Sequence, residues 1–375
     1  MAGPLSGLRI IEFTGLGPGP FCGMMLADHG AEVICVDRLG AFPFPGGVVN
    51  RSKKSIALNM KSPAGVAIAR DLCQSADGAI EGFRPGVMER IGLGPDVLLK
   101  DNPKLVFGRM TGWGQTGPLA QAAGHDINYI ALSGALHTCG RRDGPPTPPV
   151  NYLGDFGGGG MMLAFGMVCA LMAVKNGAAG QVVDCAMTDG SATLTALVWS
   201  MLGAGMWNDE RGSNLIDTGS HFYDVYETKD GKWVSIGSIE PQFYALLCEK
   251  AGLNDQDFGN QDDRSQWPAQ KEKLAAIFKI KTRDEWCRLM EGTDVCFAPV
   301  LSMEEAPSHP HNVARDTFIT IDGVVQPAPA PRYSETISDK PSSAPAIGGD
   351  GAALLKELGR NDAAIDQLRT DGVIA

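Results

Sequence analysis

The sequence predicts an α/β protein: a larger domain on a mostly parallel sheet with helices on both faces, then a smaller domain of a hairpin and helices. Three observations carry this. The N-terminus holds a strand–helix–strand unit, the same alternation repeats as far as residue 202, and the texture of the chain changes after Trp207. At 375 residues the chain exceeds one typical domain, and a hydrophobic fraction of 44% supplies two cores.

Leu8-Arg9-Ile10-Ile11-Glu12-Phe13 reads as a buried strand, followed by the turn Gly15-Leu16-Gly17-Pro18-Gly19-Pro20. A helical run over 21–29 closes at Gly30, and 31–36 forms a second strand ending at Asp37-Arg38. This is a unit of nucleotide-binding type. The turn is not the dinucleotide fingerprint: its third glycine comes too early, and Pro18 and Pro20 lack the N–H donors a pyrophosphate wants. That argues against a nicotinamide-dependent dehydrogenase. Residues 64–75 form an amphipathic helix and 78–81 a short strand, and Gly82-Phe83-Arg84-Pro85-Gly86 turns into a further helix. Residues 105–110 and 180–187 add strands, while 161–174 and 191–202 read as helices.

Beyond a polar, glycine-rich connector, 222–228 and 232–237 read as a hairpin around Asp230-Gly231. Helices follow. One starts at Thr282 with Glu285 completing a capping box, and Ser302 with Glu305 forms a second box. Residues 327–345, rich in proline, alanine and serine, read as a linker, and 351–368 as a helical tail able to return to the first domain. The expected organisation is therefore a large domain over 1–207, a linker over 208–221, a small domain over 222–326, a linker over 327–350 and C-terminal helices over 351–375.

A net charge of −11 without a long basic run argues against a nucleic-acid partner. The nine cysteines are odd in number and lack a Cys-x-x-Cys pair, which fits buried thiols in a reducing compartment. The first residues carry no basic stretch ahead of an apolar core, and the apolar run near 161–174 falls short of the ~20 residues of a membrane span. A cytoplasmic protein without a membrane partner is expected. Basic residues cluster at Arg51, Lys53, Lys54 and Lys61, with Arg38, Arg84 and Arg90 nearby in the pattern, so a phosphate-bearing ligand at the strand ends is expected.

Two residues stand out chemically. His125 lies in Gly124-His125-Asp126-Ile127-Asn128-Tyr129, among groups able to orient an imidazole. Asp155 opens Asp155-Phe156-Gly157-Gly158-Gly159-Gly160, read as a glycine turn leading into a helix whose N–H groups could face an anion. The alternatives are a hydrogen-bonded structural histidine and an Asp serving as helix N-cap. Methionines at 161, 162, 187, 201 and 206 suit either a core or an adaptable acyl-chain wall. His309-Pro310-His311 lacks neighbouring ligands and reads as a turn, so no metal is expected.

These motifs, with Gly112-Trp113-Gly114-Gln115-Thr116-Gly117-Pro118 and Ile239-Glu240-Pro241-Gln242-Phe243-Tyr244, resemble the alpha-methylacyl-CoA racemases of the class III CoA-transferase family. The resemblance runs from Leu5 to about Phe318. It implies an interlocked homodimer acting on acyl-CoA, with the active site between the large domain of one subunit and the small domain of the other. No cofactor beyond the CoA of the substrate is implied. By resemblance His125 and Asp155 are the two catalytic bases, Glu240 lies beside the site and Asp126 supports it. CoA contacts fall to Arg38, Leu58, Asn59, Met60, Lys61, Gly82, Phe83, Arg84, Arg90, Gly124, Asp126, Ile127, Asn128 and Tyr129. The sequence departs from the family pattern at Asn59, where relatives often carry Asp, in the glycine- and proline-rich stretch 42–49, and at His221-Phe222-Tyr223, which bears on the acyl pocket. The implied reaction moves a proton off one face of the carbon beside the thioester and onto the other, which takes two bases. In the wider family's transferase chemistry the Asp155 carboxylate would instead attack the thioester as a nucleophile.

Overall fold

Strands β1 (Arg9–Phe13), β2 (Glu32–Arg38), β3 (Lys54–Leu58), β4 (Gly78–Glu81), β5 (Val106–Thr111) and β6 (Gln181–Ala186) pair in parallel in the order β3-β2-β1-β4-β5-β6. The coordinates are a computed structural model describing residues 2–42 and 47–375. The strand order reverses at β1, and in such sheets ligands sit outside the carboxyl ends of the strands at that switch point. β3 was not expected, because its lysine-headed sequence reads as part of a basic cluster. Burial of Ile56, Ala57 and Leu58 makes it a strand, and Lys54 pairs with Glu32 of β2 at 2.5 Å.

The chain forms two compact units. The first comprises residues 1–133, 150–195 and 316–375, and the second 134–149 and 196–315. Residues 134–149 and 196–207, read from sequence as part of the large domain, thus cluster with the second unit, and 316–326 with the first. The first unit's helices are α1 (Pro18–Asp28), α2 (Pro63–Gln74), α3 (Val87–Arg90), α4 (Pro95–Asp101), α5 (Asp126–Leu132), α6 (Met162–Lys175) and α7 (Met187–Leu194). α1 begins three residues earlier than the apolar pattern suggests. Pro18 and Pro20 fit its first turn, where a missing N–H costs no intrahelical bond. The α6 stretch continues a π-helical segment, so the helical run Tyr152–Lys175 reaches 24 residues, longer than its apolar core suggested. Leu163, Met167, Ala170 and Leu171 of α6 are buried in the core on one face of the sheet. The expectation of buried thiols holds for Cys22, Cys35 and Cys73, whereas Cys169 on α6 is exposed.

The basic cluster has a structural task. Arg51 is buried, forms a two-pronged pair with Asp28 (2.9 and 2.5 Å) and donates to Gln326 Oε1 and the Pro327 carbonyl. Lys53, also buried, pairs with Glu12 at 2.7 Å and donates to the Pro20 carbonyl at 2.9 Å. These cations are consumed inside the fold and cannot meet a phosphate, correcting the sequence reading.

In the second unit, α8 (Ala196–Gly203) precedes a three-stranded antiparallel sheet of β7 (Tyr223–Glu227), β8 (Trp233–Gly237) and β9 (Phe297–Val300). The β7–β8 hairpin turns at Asp230-Gly231, Gly231 taking φ +71°. β9 went unread because Pro299 interrupts a four-residue run, which only an edge strand tolerates. Helices α9 (Pro241–Ala251), α10 (Asp255–Phe258), α11 (Trp267–Phe278), α12 (Arg283–Met290) and α13 (Pro310–Ala314) complete the unit, and the Thr282–Glu285 capping box forms as expected. Back in the first unit, β10 (Phe318–Ile321) and β11 (Val324–Pro327) form a hairpin inside what sequence read as domain end and linker. The tail forms α14 (Gly351–Glu357) and α15 (Asp362–Thr370), whose Leu354, Leu355 and Ile365 join the first core, and Ile374 bridges to Leu58.

His221 lies in the second unit, ahead of β7. It is fully buried, its Nε2 lies 2.8 Å from the Tyr244 hydroxyl, and Tyr244 donates its one proton to the Phe258 carbonyl. His221 is therefore the Nε2 donor and neutral. Burial, with the nearby Lys271 charge, lowers its pKa from 6.5 to about 4. Unfolding restores the ordinary value, so the stabilising term is present above pH 6.5 and is lost as pH falls towards 4. Urea titrations across that window should show His221 accounting for a loss of about 3 kcal/mol, and His221→Gln should flatten the decline.

Candidate active site

The carboxyl ends of β1, β4 and β5 open onto a cleft of about 430 Å³. Its walls include the Gly15–Pro20 turn, Gly82, Phe83 and Arg84 after β4, Met110 to Trp113 at the end of β5, and Gly124, His125, Tyr129 and Asp155. His125 is the N-cap of α5, in extended conformation (φ −133°, ψ 175°), and its backbone N–H donates to Asn128 Oδ1 at 3.0 Å. The helix start thereby fixes the backbone while the imidazole stays exposed. One turn on, the Tyr129 hydroxyl donates to the Gly124 carbonyl, and its ring meets Trp113 edge to face at 4.8 Å. A methyl group on Gly124 would lie 2.7 Å from that ring, so glycine there lets the ring lie on the backbone. Burial raises the Tyr129 pKa, and the Asp155 charge adds to it.

Asp155 is not an N-cap. It sits in the first turn of the π-helical segment Tyr152–Met161, whose N-cap is Asn151. Its backbone N–H donates to Asp126 Oδ1 at 2.6 Å, so the buried Asp126 carboxylate satisfies an amide that the helix start leaves free. Asn151 Nδ2 donates to Asp155 Oδ2 at 3.3 Å. Burial raises the Asp155 pKa and the Asp126 charge pushes the same way, opposed by Asn151 and His125. Desolvation is the largest of these influences, and it acts against a helix dipole that favours the charged form. Gly17 (φ +70°) faces this group: a side chain there would begin 3.3 Å from Asp155 Oδ2.

The four glycines are not a turn, and their N–H groups are not spare donors. They belong to the π-helix, whose amides point to carbonyls five residues back. Their missing side chains serve packing. A methyl group on Gly158 would lie 2.6 Å from the Ser191 nitrogen of α7, and one on Gly160 2.7 Å from the Phe21 ring of α1. Gly190 of α7 answers from the other side, where a methyl group would overlap the Gly158 carbonyl. Phe21 stacks on Phe156 at 4.3 Å.

An adjoining hollow of about 630 Å³ shares Phe13, Gly15, Leu16 and Phe83 with the cleft and adds Asp37, Arg38, Met60, Asn50 and Ile347. Of the residues singled out from sequence, His125, Asp155, Gly82, Phe83, Arg84, Gly124 and Tyr129 line the cleft, and Arg38 and Met60 line the hollow. Asp126 lies buried behind Asp155. Leu58 is a core residue with no exposed surface, and Asn59 Nδ2 donates to the Gly372 carbonyl while its Oδ1 accepts the Lys61 N–H. Leu58 and Asn59 therefore help hold the C-terminus. Lys61, Arg90, Ile127 and Asn128 are exposed and line neither hollow. Glu240, exposed, is the N-cap of α9 in the second unit. Residues 43–46, within the 42–49 stretch, lie outside the described residues.

The chain matches the model of CoA-transferase family III over residues 5–351. It belongs to that family. An alpha-methylacyl-CoA racemase of Mus musculus is 46% identical over 374 residues, 99% of this chain and 97% of the mouse protein. The protein of that name from Homo sapiens is 42% identical over 372 residues, again 99% and 97% of the two chains. Among solved structures, a CaiB/BaiF family protein from Brucella suis superposes with a TM-score of 0.83 and 24% identity, covering 96% of this chain and 100% of that one, a likeness of fold.

Sequence reasoning missed Asn151 and Trp113 as site residues in this member of the family. Asn151 ends a proline-rich run that gives no sign of a helix start, and Trp113 was quoted only as part of a turn. It also missed the part played by α7, whose Gly190-Ser191 pair looks unremarkable until the crossing is seen. Gly190→Ala should cost about 1–3 kcal/mol by overpacking that crossing, read as a lowered urea midpoint, and should reduce activity through the displacement of Asp155.

Proposed function

We propose that this cleft epimerises 2-methylacyl-CoA thioesters at the carbon beside the thioester, by proton transfer between His125 and Asp155 through an enolate. The observation that carries the reading is that an imidazole and a carboxyl group with a raised pKa line one cleft at the switch point of the sheet. One residue removes the proton as a base while the other, protonated, delivers one to the opposite face; in the reverse direction the roles exchange. A raised pKa equips Asp155 to hold the proton it must deliver. The N-terminal ends of α1 and of the π-helix border the cleft, so their dipoles favour the negative charge of the enolate. Arg84 in the cleft and Arg38 in the adjoining hollow have no ion pair among the described residues, which suits them to the phosphates of CoA. The racemase names of the mouse and human relatives support the same substrate class.

The protein acts as a homodimer on this reading, with Glu240 of a second copy beside the cleft. In support, α8 has no buried residue although its sequence is apolar, and Leu197 and Trp199 are each 61% exposed.

Incubating the protein with one epimer of a 2-methylacyl-CoA in deuterated water should place deuterium at the 2-position with loss of optical purity. His125→Ala should lower that rate by about 10²–10⁴-fold. Exchange of CoA onto added carboxylates, without deuterium uptake, would show Asp155 working as a nucleophile instead. Asp126→Asn keeps an acceptor for the Asp155 N–H but removes a charge that adds to the burial-driven rise of the Asp155 pKa. In the direction where Asp155 is the base, activity is lost as pH falls through that pKa, so the acidic limb of kcat/KM should move to lower pH in the variant.

A further inference from the structure

Beneath the ledge that follows β4 lies a group of charges outside the cleft. Arg109 of β5 is 6% exposed, and its Nε donates to Glu81 Oε1 at 2.8 Å. Its two terminal nitrogens reach both oxygens of Glu89 on α3, at 2.7 and 3.3 Å. The second oxygen of Glu81, itself fully buried, accepts the backbone N–H of Phe83 at 2.7 Å. One guanidinium therefore ties together β4, the first residues after it, and the helix that ends the loop. The tied segment carries Phe83, one of the side chains common to the cleft and the adjoining hollow, and Arg84, a cation without an ion pair among the described residues. A loop that leads from a strand end into a four-residue helix has little regular structure of its own to hold that pose.

We infer that Arg109 is a positioning residue for the nucleotide end of the acyl-CoA, holding the Gly82-Phe83-Arg84 ledge through Glu81 and Glu89. Arg109 itself lines neither hollow, so it acts through the ledge. Its fork geometry matters as much as its charge, because a lysine offers one nitrogen where three are used. The hydrogen bonds of the clamp reach neither His125 nor Asp155. Its loss should fall on binding and spare the proton transfer.

This rests on the racemase reading, and the experiment separates the two. Glu89→Gln frees α3 while leaving the buried Arg109–Glu81 pair intact, so the variant should fold; Arg109→Lys tests the fork directly. Each is assayed by deuterium uptake with a 2-methylacyl-CoA and with the matching pantetheine thioester, which lacks the nucleotide. The expected result is a KM for the CoA substrate raised about 5–20-fold with kcat within about twofold, and kcat/KM for the pantetheine thioester unchanged. Equal losses on both substrates, or a fall in kcat alone, would overturn the inference and leave Arg109 a stabiliser of the fold. An unchanged KM in both variants would also overturn it. Absence of deuterium uptake by the unaltered protein would instead overturn the underlying reading.

Discussion

Backbone meets backbone where the π-helical segment crosses α7 and the start of α1, and the placement of Asp155 depends on that contact. Gly158 and Gly190 let two helices approach to a distance that any side chain would prevent. Gly159 and Gly160 do the same against Met187 and the Pro18–Phe21 turn. The crossing puts an acidic side chain at the mouth of a sheet whose strand ends supply the remaining walls. It also brings the residue close enough to Asp126 for a backbone-to-carboxylate bond. A wider π-helical turn offers its first amides to groups outside the helix, and here one amide is taken by a neighbouring side chain. Two carboxylates are thus held together, and the charge of the buried Asp126 adds to the burial that discourages Asp155 from ionising.

Around that crossing, buried ion pairs do the joining that apolar packing cannot. Lys53 and Glu12 meet with no exposed side-chain surface, and Lys53 also holds the carbonyl of Pro20, in the turn that faces Asp155. Arg51 connects the end of α1 to the β10–β11 hairpin. Such pairs contribute little net stability against an apolar replacement of the same shape, yet breaking one partner leaves a charge stranded in low dielectric. Their effect is to fix which segments adjoin. Basic residues near a cleft can therefore be architectural, whereas Arg38 and Arg84, which line the two hollows, form no ion pair among the described residues.

Much of the fold was legible. Strands β1, β2, β4, β5 and β6 follow from apolar runs of strand length, and the Asp230-Gly231 hairpin and Thr282 capping box from local turn and cap chemistry. β3 was hidden because a strand headed by Arg51, Lys53 and Lys54 advertises charge, and only the internal partners Glu12, Asp28 and Glu32 reveal why charge is tolerated there. The Asp155 helix start was misread for a related reason. A run of glycines signals a turn by conformational preference, and only tertiary packing makes it helical. His125 was found because polar neighbours crowd it in sequence. Leu58 and Asn59 carry no local sign that they bind segments more than three hundred residues away.

That last separation bears on how the protein is made. The backbone N–H of Asn59 is bound by the carbonyl of Val373, and Leu58 pairs with Ile374 one residue before the end. The outer side of β3 is thus covered by residues 348–350, which bind Ser55, and by 373–374, so this sheet edge closes only when segments far apart in the chain meet. Until those segments dock, an apolar strand edge is open to pairing with other chains.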